Sequence, residues 1–405
     1  MCNRTRAFRR YGFVFNRAGM SNSISAPAAE TSAWTEGTLG DFVRLQRGHD
    51  LTDDDRRPGN VPVMGAAGMN GYHDTAIAKA PGVVIGRSGA SFGKAHYCPQ
   101  NYWPHNTALY VTDFLGNDPR FAYYFLKSYD FSAYNSGSAQ PSLNRNFVYR
   151  IPVRVPPPAE QRAIAGVLGA LDDKMELNRR MNETLEAIAQ AQFRRMMEEG
   201  GGTETELGEH VEVTKGLSYK GPGLADDGIP LHNLNAVYEG GGYKHEGIKY
   251  YTAEYKDRHV CHPGDVIVAN TEQGFDYLLI GYPAIVPRRF GKFGLFTHHI
   301  YRVRPKTGSP LTNHFVFLLL MYRDVREQVI SFTNGTTVNA LAAEGLQRPR
   351  FTLPPVKRLR QFEETVAPMF AKQEENIEES QTLAALRDAL LPKLLSGAVR
   401  VKEVT

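Results

Sequence analysis

The chain has 405 residues, 42% of them hydrophobic and 22% charged, with a formal net charge of +4. That composition belongs to a folded globular protein of two or three domains, and the mild basicity neither requires nor excludes nucleic acid as a partner. No run of 18 apolar residues occurs, which excludes a helical membrane span; Cys2, Cys98 and Cys261 are scattered and odd in number, which argues against a disulfide framework and for a reducing cytoplasm.

Residues 1–33 carry Arg4, Arg6, Arg9, Arg10 and Arg17, then a polar Ala/Ser-rich stretch, and read as a disordered tail. They lack the apolar core of a secretory signal, and Met20 offers a second possible start of translation. From Leu39 a mixed segment begins, with strand patterns over 83–85 and 108–111 and a helical pattern over 121–129. Pro156, Pro157 and Pro158 close it. A helix is then predicted over 159–199, because Ile164, Leu168, Leu171 and Met175 lie at helical spacing and Met181, Leu185 and Ile188 resume the stripe. Its 41 residues span roughly 60 Å, long for a core helix and suited to a coiled-coil strut, and Gly200, Gly201 and Gly202 end it.

The segment after these glycines repeats the one before the long helix. Leu39-Gly40-Asp41-Phe42-Val43 corresponds to Leu207-Gly208-Glu209-His210-Val211, Arg47-Gly48 to Lys215-Gly216, and Val61-Pro62-Val63 to Ile229-Pro230-Leu231, all at an offset of 168. Ala80-Pro81-Gly82-Val83-Val84-Ile85 matches His262-Pro263-Gly264-Asp265-Val266-Ile267 at 182, and Val155-Pro156-Pro157 matches Leu353-Pro354-Pro355 at 198. The growing offset marks longer insertions in the second copy. That copy has strand patterns over 265–269 and 299–303 and a helical pattern over 313–329. A second long helix comes next, its stripe carried by Phe362, Val366, Met369, Ile377, Leu383, Leu386, Leu390 and Leu394, with Pro368 predicting a kink or a late start. Two such helices separated by a folded unit can pair antiparallel and bury both stripes.

Motifs for catalysis fail one by one. The stretch from Gly86 to Lys94 is glycine-rich and basic, but Ser88 stands where a phosphate-binding loop needs its first Gly, and Ala95 follows the Lys. There is no His-Glu-x-x-His, no Gly-x-Ser-x-Gly and no dinucleotide fingerprint. No catalytic residue and no metal ligand is therefore assigned. Two loops rich in hydrogen-bonding side chains remain, 136–145 with Ser138, Gln140, Asn144 and Arg145, and 333–339 with Asn334, Thr336 and Asn339. Asn, Gln and Arg read base edges, while Ser, Thr and backbone amides hold phosphate. Arg87, Ser88 and Lys94 in the first copy join them as candidate DNA contacts, as do Lys220, Arg288, Arg289 and Lys292 in the second. An enzyme with its site in 86–94 and a protein-binding coiled-coil adaptor stay open as alternatives.

The motifs together resemble the specificity subunits of Type I restriction-modification systems, over roughly residues 36–402. The carrying motifs are Leu-Gly-Asp-x-Val at the start of the first copy and its Leu-Gly-Glu-x-Val counterpart in the second, Pro-Gly-x-Val-Ile in both, Gly86-Arg87-Ser88-Gly89 with Gly93-Lys94, the Pro156–Gln161 run Pro-Pro-Pro-x-Glu-Gln, and Leu-Leu-Pro-Lys-Leu-Leu-Ser-Gly over 390–397. The second helix lacks the Glu-Gln pair. The resemblance implies an α+β fold of two repeated target-recognition domains, 34–156 and 203–355, joined by two long antiparallel coiled-coil helices with pseudo-twofold symmetry. The tail is 1–33, and the spacers are 157–202 and 356–405. It implies a cytoplasmic, non-catalytic subunit. Each recognition domain binds one half of a bipartite double-stranded DNA target. The helices set the spacing and dock two methyltransferase subunits through Ile164, Leu168, Leu171, Met175, Leu185, Ile188, Phe362, Val366, Ile377, Leu383, Leu386 and Leu390. Translocase-endonuclease subunits complete the complex. S-adenosylmethionine, Mg and ATP are expected on those partners and no cofactor on this chain.

Overall fold

The computed structural model describes residues 13–17, 34–137, 141–219, 221–274, 276–335 and 338–403. The chain divides into two compact units, Met1–Met175 with Gln381–Thr405, and Glu176–Ser380.

In the first unit the edge strand Thr35–Thr38 pairs antiparallel with Pro152–Val155. A one-turn helix, Leu39–Phe42, follows; the Asp41 carboxylate accepts hydrogen bonds from the Thr38 amide (3.0 Å) and hydroxyl (2.6 Å), closing a capping box. The chain then builds a four-stranded antiparallel sheet from β1 (Arg44–Arg47), β2 (Gly82–Gly86), β3 (Ala95–Cys98) and β4 (Ala108–Asp113), in the order β1-β4-β2-β3. Every residue of β2 is buried, as its unalternating Gly-Val-Val-Ile-Gly run requires of a strand covered on both faces. Helix α1 (Pro119–Ser128) is capped by Asp118 and packs Phe121, Tyr124 and Leu126 into the core. Of the stretch read as a disordered tail, Phe13–Arg17 form a strand paired antiparallel with Val399–Glu403; the rest of it lies outside the described residues.

Helix α2 (Pro158–Glu198) carries the chain from the first unit into the second. The second unit repeats the plan. Thr203–Glu206 pairs with Arg350–Leu353, and a one-turn helix, Leu207–His210, follows. Then β5 (Val211–Lys215), β6 (Val266–Ala269), β7 (Pro283–Ile285) and β8 (Ile300–Pro305) form a sheet in the order β5-β8-β6-β7, equivalent to the first. Helix α3 (Asn313–Met321) packs on it, and the helical pattern predicted to run to 329 breaks at Tyr322 before a second helix, Arg323–Ile330.

The equivalence extends to single hydrogen bonds. The amides of Leu39 and Gly40 donate to Ile151 O and Tyr149 O, and those of Leu207 and Gly208 to Pro349 O and Gln347 O. The Gly48 amide donates to Ala108 O and the Gly216 amide to Ile300 O. A Cβ at Gly48 would stand 2.2 Å from the His105 carbonyl oxygen, and one at Gly216 would stand 2.3 Å from that of Thr297. Glycine is repeated there because two backbones touch.

Helix α4 (Val356–Leu395) is continuous through Pro368, so the late start expected there does not occur. The long helices pass in opposite directions within each unit. In the first, Ile164 and Leu168 share a core with Leu394, and Asp172 accepts a 2.8 Å bond from Arg387. Arg400 and the indole of Trp34 both donate to buried Glu160, while Gln161 bonds Pro156 O (2.9 Å) and Asn117 Oδ1 (2.7 Å). The Glu-Gln pair thus fastens the start of α2. The second helix has no such pair, and Glu363 instead receives Thr312 Oγ1 at 2.6 Å and pairs with His314 at 2.8 Å.

In the second unit Ala189, Phe193 and Met196 pack with Leu359, Phe362 and Val366, and the Phe193 and Phe362 rings lie 5.8 Å apart. The predicted stripe needs correction here. Leu171 is buried, and Met175, Leu185, Ile377, Leu383 and Leu390 are partly so, but Ile188 and Leu386 are each 40% exposed. A 4-3-4 pattern extended over many turns drifts around a helix of 3.6 residues per turn, and the buried position becomes Ala189. Phe193→Ala should therefore lower the free energy of unfolding of the second unit by about 3–5 kcal/mol, whereas Ile188→Ala should change it by no more than about 0.5 kcal/mol. Guanidinium chloride unfolding of both variants measures this, and equal losses would return Ile188 to the packed stripe.

Candidate nucleic-acid interface

The Gly86–Lys94 turn leaves the end of β2 and folds onto itself. The Gly86 amide donates to Lys94 O (2.9 Å), Gly93 to Gly86 O (2.8 Å), Phe92 to Gly89 O and Lys94 to Ser91 O. A Cβ at Gly86 would fall 1.9 Å from Ser91 O. These four amides are bonded within the turn, and the Arg87 amide donates outside it to Thr107 O. Its side chains are what it presents, with Lys94 exposed and Arg87 and Ser88 half-buried.

The distant 141–148 segment is pinned to the same place. Leu143 N donates to Arg87 O at 2.8 Å, and Ser88 bridges Ser142. Asn144 caps the short helix Arg145–Val148 by accepting from the Asn146 amide, and Arg145 reaches Leu45 O at 3.4 Å. Arg87, Ser88, Asn144 and Arg145 are therefore brought together; Ser138 and Gln140 lie outside the described residues. Sequence reasoning missed the neighbouring loops. His49 and His105 form a parallel bridge, Asn106 donates to Asp50, and Arg47 pairs with Asp50 at 3.3 Å. The bond from Asn106, with Arg47, His105 and Arg87 nearby, holds the exposed Asp50 carboxyl below the usual carboxylate range. The repeated Arg47-Gly48 and Lys215-Gly216 pairs were the available signal for these loops.

In the second unit the predicted basic residues divide. Arg288 pairs with Glu374 of α4 at 2.8 Å, which occupies its guanidinium. Arg289 lies exposed over the Phe290 ring at 4.9 Å, and Lys292 is exposed beside Gly291. The neighbouring basic run, which looks like a surface in sequence, is largely structural: Arg302 is buried and donates to Val260 O, and Arg304 donates to Asp265 at 2.9 Å. On the other loop Asn334 is exposed, but Asn339 is 2% exposed and faces inward across from Glu272. Its placement corrects the expectation of a DNA-contacting side chain, because strand alternation turns every second residue from the surface. Lys220 and Thr336 lie outside the described residues.

Within the second unit the long helices also carry a polar crossing. Asn178 and Asn376, repeat equivalents at offset 198, are each 1% exposed. Asn178 Nδ2 donates to Ser380 Oγ at 3.2 Å, and Asn376 Nδ2 to Asn182 Oδ1 at 2.8 Å. Asn182 and Ser380 are also equivalents at 198, so the two bonds are mates of one another.

Residues 31–187 match the family model of the Type I restriction modification DNA specificity domain. The chain is 25% identical over 307 residues to the Type I restriction enzyme MjaIX specificity subunit of Methanocaldococcus jannaschii, which covers 70% of each protein. It is 25% identical over 140 residues to the EcoprrI specificity subunit of Escherichia coli, covering 33% of this chain and 35% of that one. The crystal structure of the Type-I restriction-modification S subunit from M. genitalium shares the fold, with a TM-score of 0.61 at 17% identity over 91% of this chain and 97% of that one. Residues 31–187 thus match a Type I restriction modification DNA specificity domain, and in its repeated motifs and fold the whole chain is similar to the specificity subunits of Type I restriction-modification systems.

Proposed function

We propose that this chain is the non-catalytic DNA reader of a Type I complex. Each unit binds one half of a bipartite duplex target. Helices α2 and α4 act as an antiparallel coiled coil that sets the distance between half-sites and docks two methyltransferase subunits, and translocase-endonuclease subunits join them. The observation that carries this reading is the double occurrence of one sheet order with the same glycine-to-carbonyl bonds. Two copies of one scaffold with different loops suit a target made of two different half-sites, much as dimer geometry mirrors half-site spacing in other DNA-binding proteins. The reciprocal Asn178–Ser380 and Asn376–Asn182 bonds support a pseudo-twofold relation between the helices and a fixed register, since a buried polar residue in a helix pair disfavours slipped pairings.

Methylating a base inside a duplex requires taking it out of the stack, so the methyltransferase must be placed accurately at each half-site. That chemistry, with S-adenosylmethionine, and the ATP- and Mg-dependent steps belong to the partners in this reading. This chain supplies position. Arg87, Ser88, Lys94, Asn144 and Arg145 form the contact edge of the first unit, and Arg289, Lys292 and Asn334 supply contacts in the second.

Sequencing the methylome of a host that expresses this chain with its methyltransferase should reveal one interrupted motif with modified bases in both halves. A continuous motif, or no modification that depends on this chain, would refute the proposal. A second expectation concerns charge. Arg87→Gln and Lys94→Gln should each weaken DNA binding by the assembled methyltransferase and lower the slope of log Kobs against log salt by about 1, with thermal unfolding unchanged. Arg288→Gln should leave the slope as it was, because that guanidinium is held by Glu374.

A further inference from the structure

The second unit holds a cavity of about 550 Å³. Tyr219, Asn235, Tyr238, Lys244, Lys249 and Thr297 are among its lining side chains. Much of its wall comes from the longer insertion of the second copy, where the repeat offset rises from 168 to 182 between Ile229 and His262. The wall has a specific chemistry. Lys249 Nζ sits 5.7 Å over the Tyr219 ring and 3.3 Å from its hydroxyl. Lys244 Nζ sits 5.9 Å over the Tyr238 ring and 3.0 Å from Asn235 Oδ1. The cavity is thus furnished with two cation-and-ring pairs. Thr297 is 1% exposed, and its Oγ1 has no hydrogen-bond partner among the described residues. A buried hydroxyl left unbonded is costly, which marks a place where a ligand atom would be accommodated.

Side chains that read the floor of a DNA groove must project from the protein. A concavity takes what projects from the DNA instead. Flat rings for stacking, ammonium groups for phosphate and a buried hydroxyl for a ring edge match a single nucleotide. Glu239 also lines the cavity and can accept from an exocyclic amine. We propose that this cavity receives a nucleotide displaced from the DNA helix, its base against the Tyr219 or Tyr238 ring and within reach of the Thr297 hydroxyl, its phosphates at Lys244 and Lys249. The proposal rests on the reading that the second unit binds DNA. It adds a specificity-determining site that belongs to this chain rather than to a catalytic partner.

Displacing a base costs less when it is already mismatched. The test therefore uses the assembled methyltransferase complex and duplexes carrying the methylome-derived target, with a mismatch placed at each position of the two half-sites in turn. At one or more positions the mismatch should tighten binding about tenfold, equivalent to about 1.4 kcal/mol. At one of those positions Thr297→Val should abolish the gain, as should Tyr219→Ala or Tyr238→Ala, while no variant unfolds at a lower temperature than the parent. Gains due to a methyltransferase subunit persist in these variants. If every gain persists, or none occurs while the matched duplex binds, the cavity proposal is overturned and the DNA-reading role stands. If no duplex of that target binds, the role itself is overturned. Free deoxynucleoside monophosphates supply the second arm: micromolar binding that Thr297→Val abolishes, with no mismatch gain sensitive to the cavity, would identify a free-nucleotide site and overturn base capture.

Discussion

The structure depends on the way each long helix is shared. The first unit's core includes Ile164 and Leu168 from α2 and Leu394 from α4. The second unit's core includes Phe193 from α2 with Phe362 and Val366 from α4. Each such side chain contributes about 1.5–3 kcal/mol on burial, so neither core is complete without both helices. The polar crossing adds direction to this apolar packing. Asn178 and Asn376 gain little net stability from their bonds, but a slip of either helix would leave buried amides unpartnered, and that penalty selects one register. A helix pair built this way combines length from helical geometry with register from a few hydrogen bonds.

The repeat rests on equally simple constraints. Gly48 and Gly216 sit where a Cβ would meet carbonyl oxygens, and the amides beside them close the same loops onto the same strands. These positions form a scaffold on which loops are free to differ. The first copy is compact between its second and third motifs, while the second carries an insertion that walls a cavity. Duplication of the frame with divergence of the loops fits a reader of two unlike half-sites.

The frame was legible in the sequence because its determinants are local and unusual: paired glycines, Pro-Gly before a buried strand, prolines before each long helix. The sites were less legible, for reasons that individual residues make plain. Arg288, Arg302 and Arg304 look like one basic surface in sequence, yet their partners Glu374, Val260 O and Asp265 are remote along the chain and reach them only through the fold. Asn339 faces inward because strand parity, not residue type, decides the face. Ile188 and Leu386 fell off the packed stripe through helical drift over many turns. Pro368 proved compatible with a continuous helix. The cavity was invisible because Tyr219, Lys244 and Thr297 meet only through tertiary structure.

That one chain reads two separated half-sites is tested most directly by hydroxyl-radical footprinting of the assembled methyltransferase complex on its target duplex. Two protected blocks flanking a less protected spacer are predicted, with Arg87→Gln weakening protection of one block and leaving the other. A single continuous block, or equal weakening of both by that substitution, would contradict a two-unit reader.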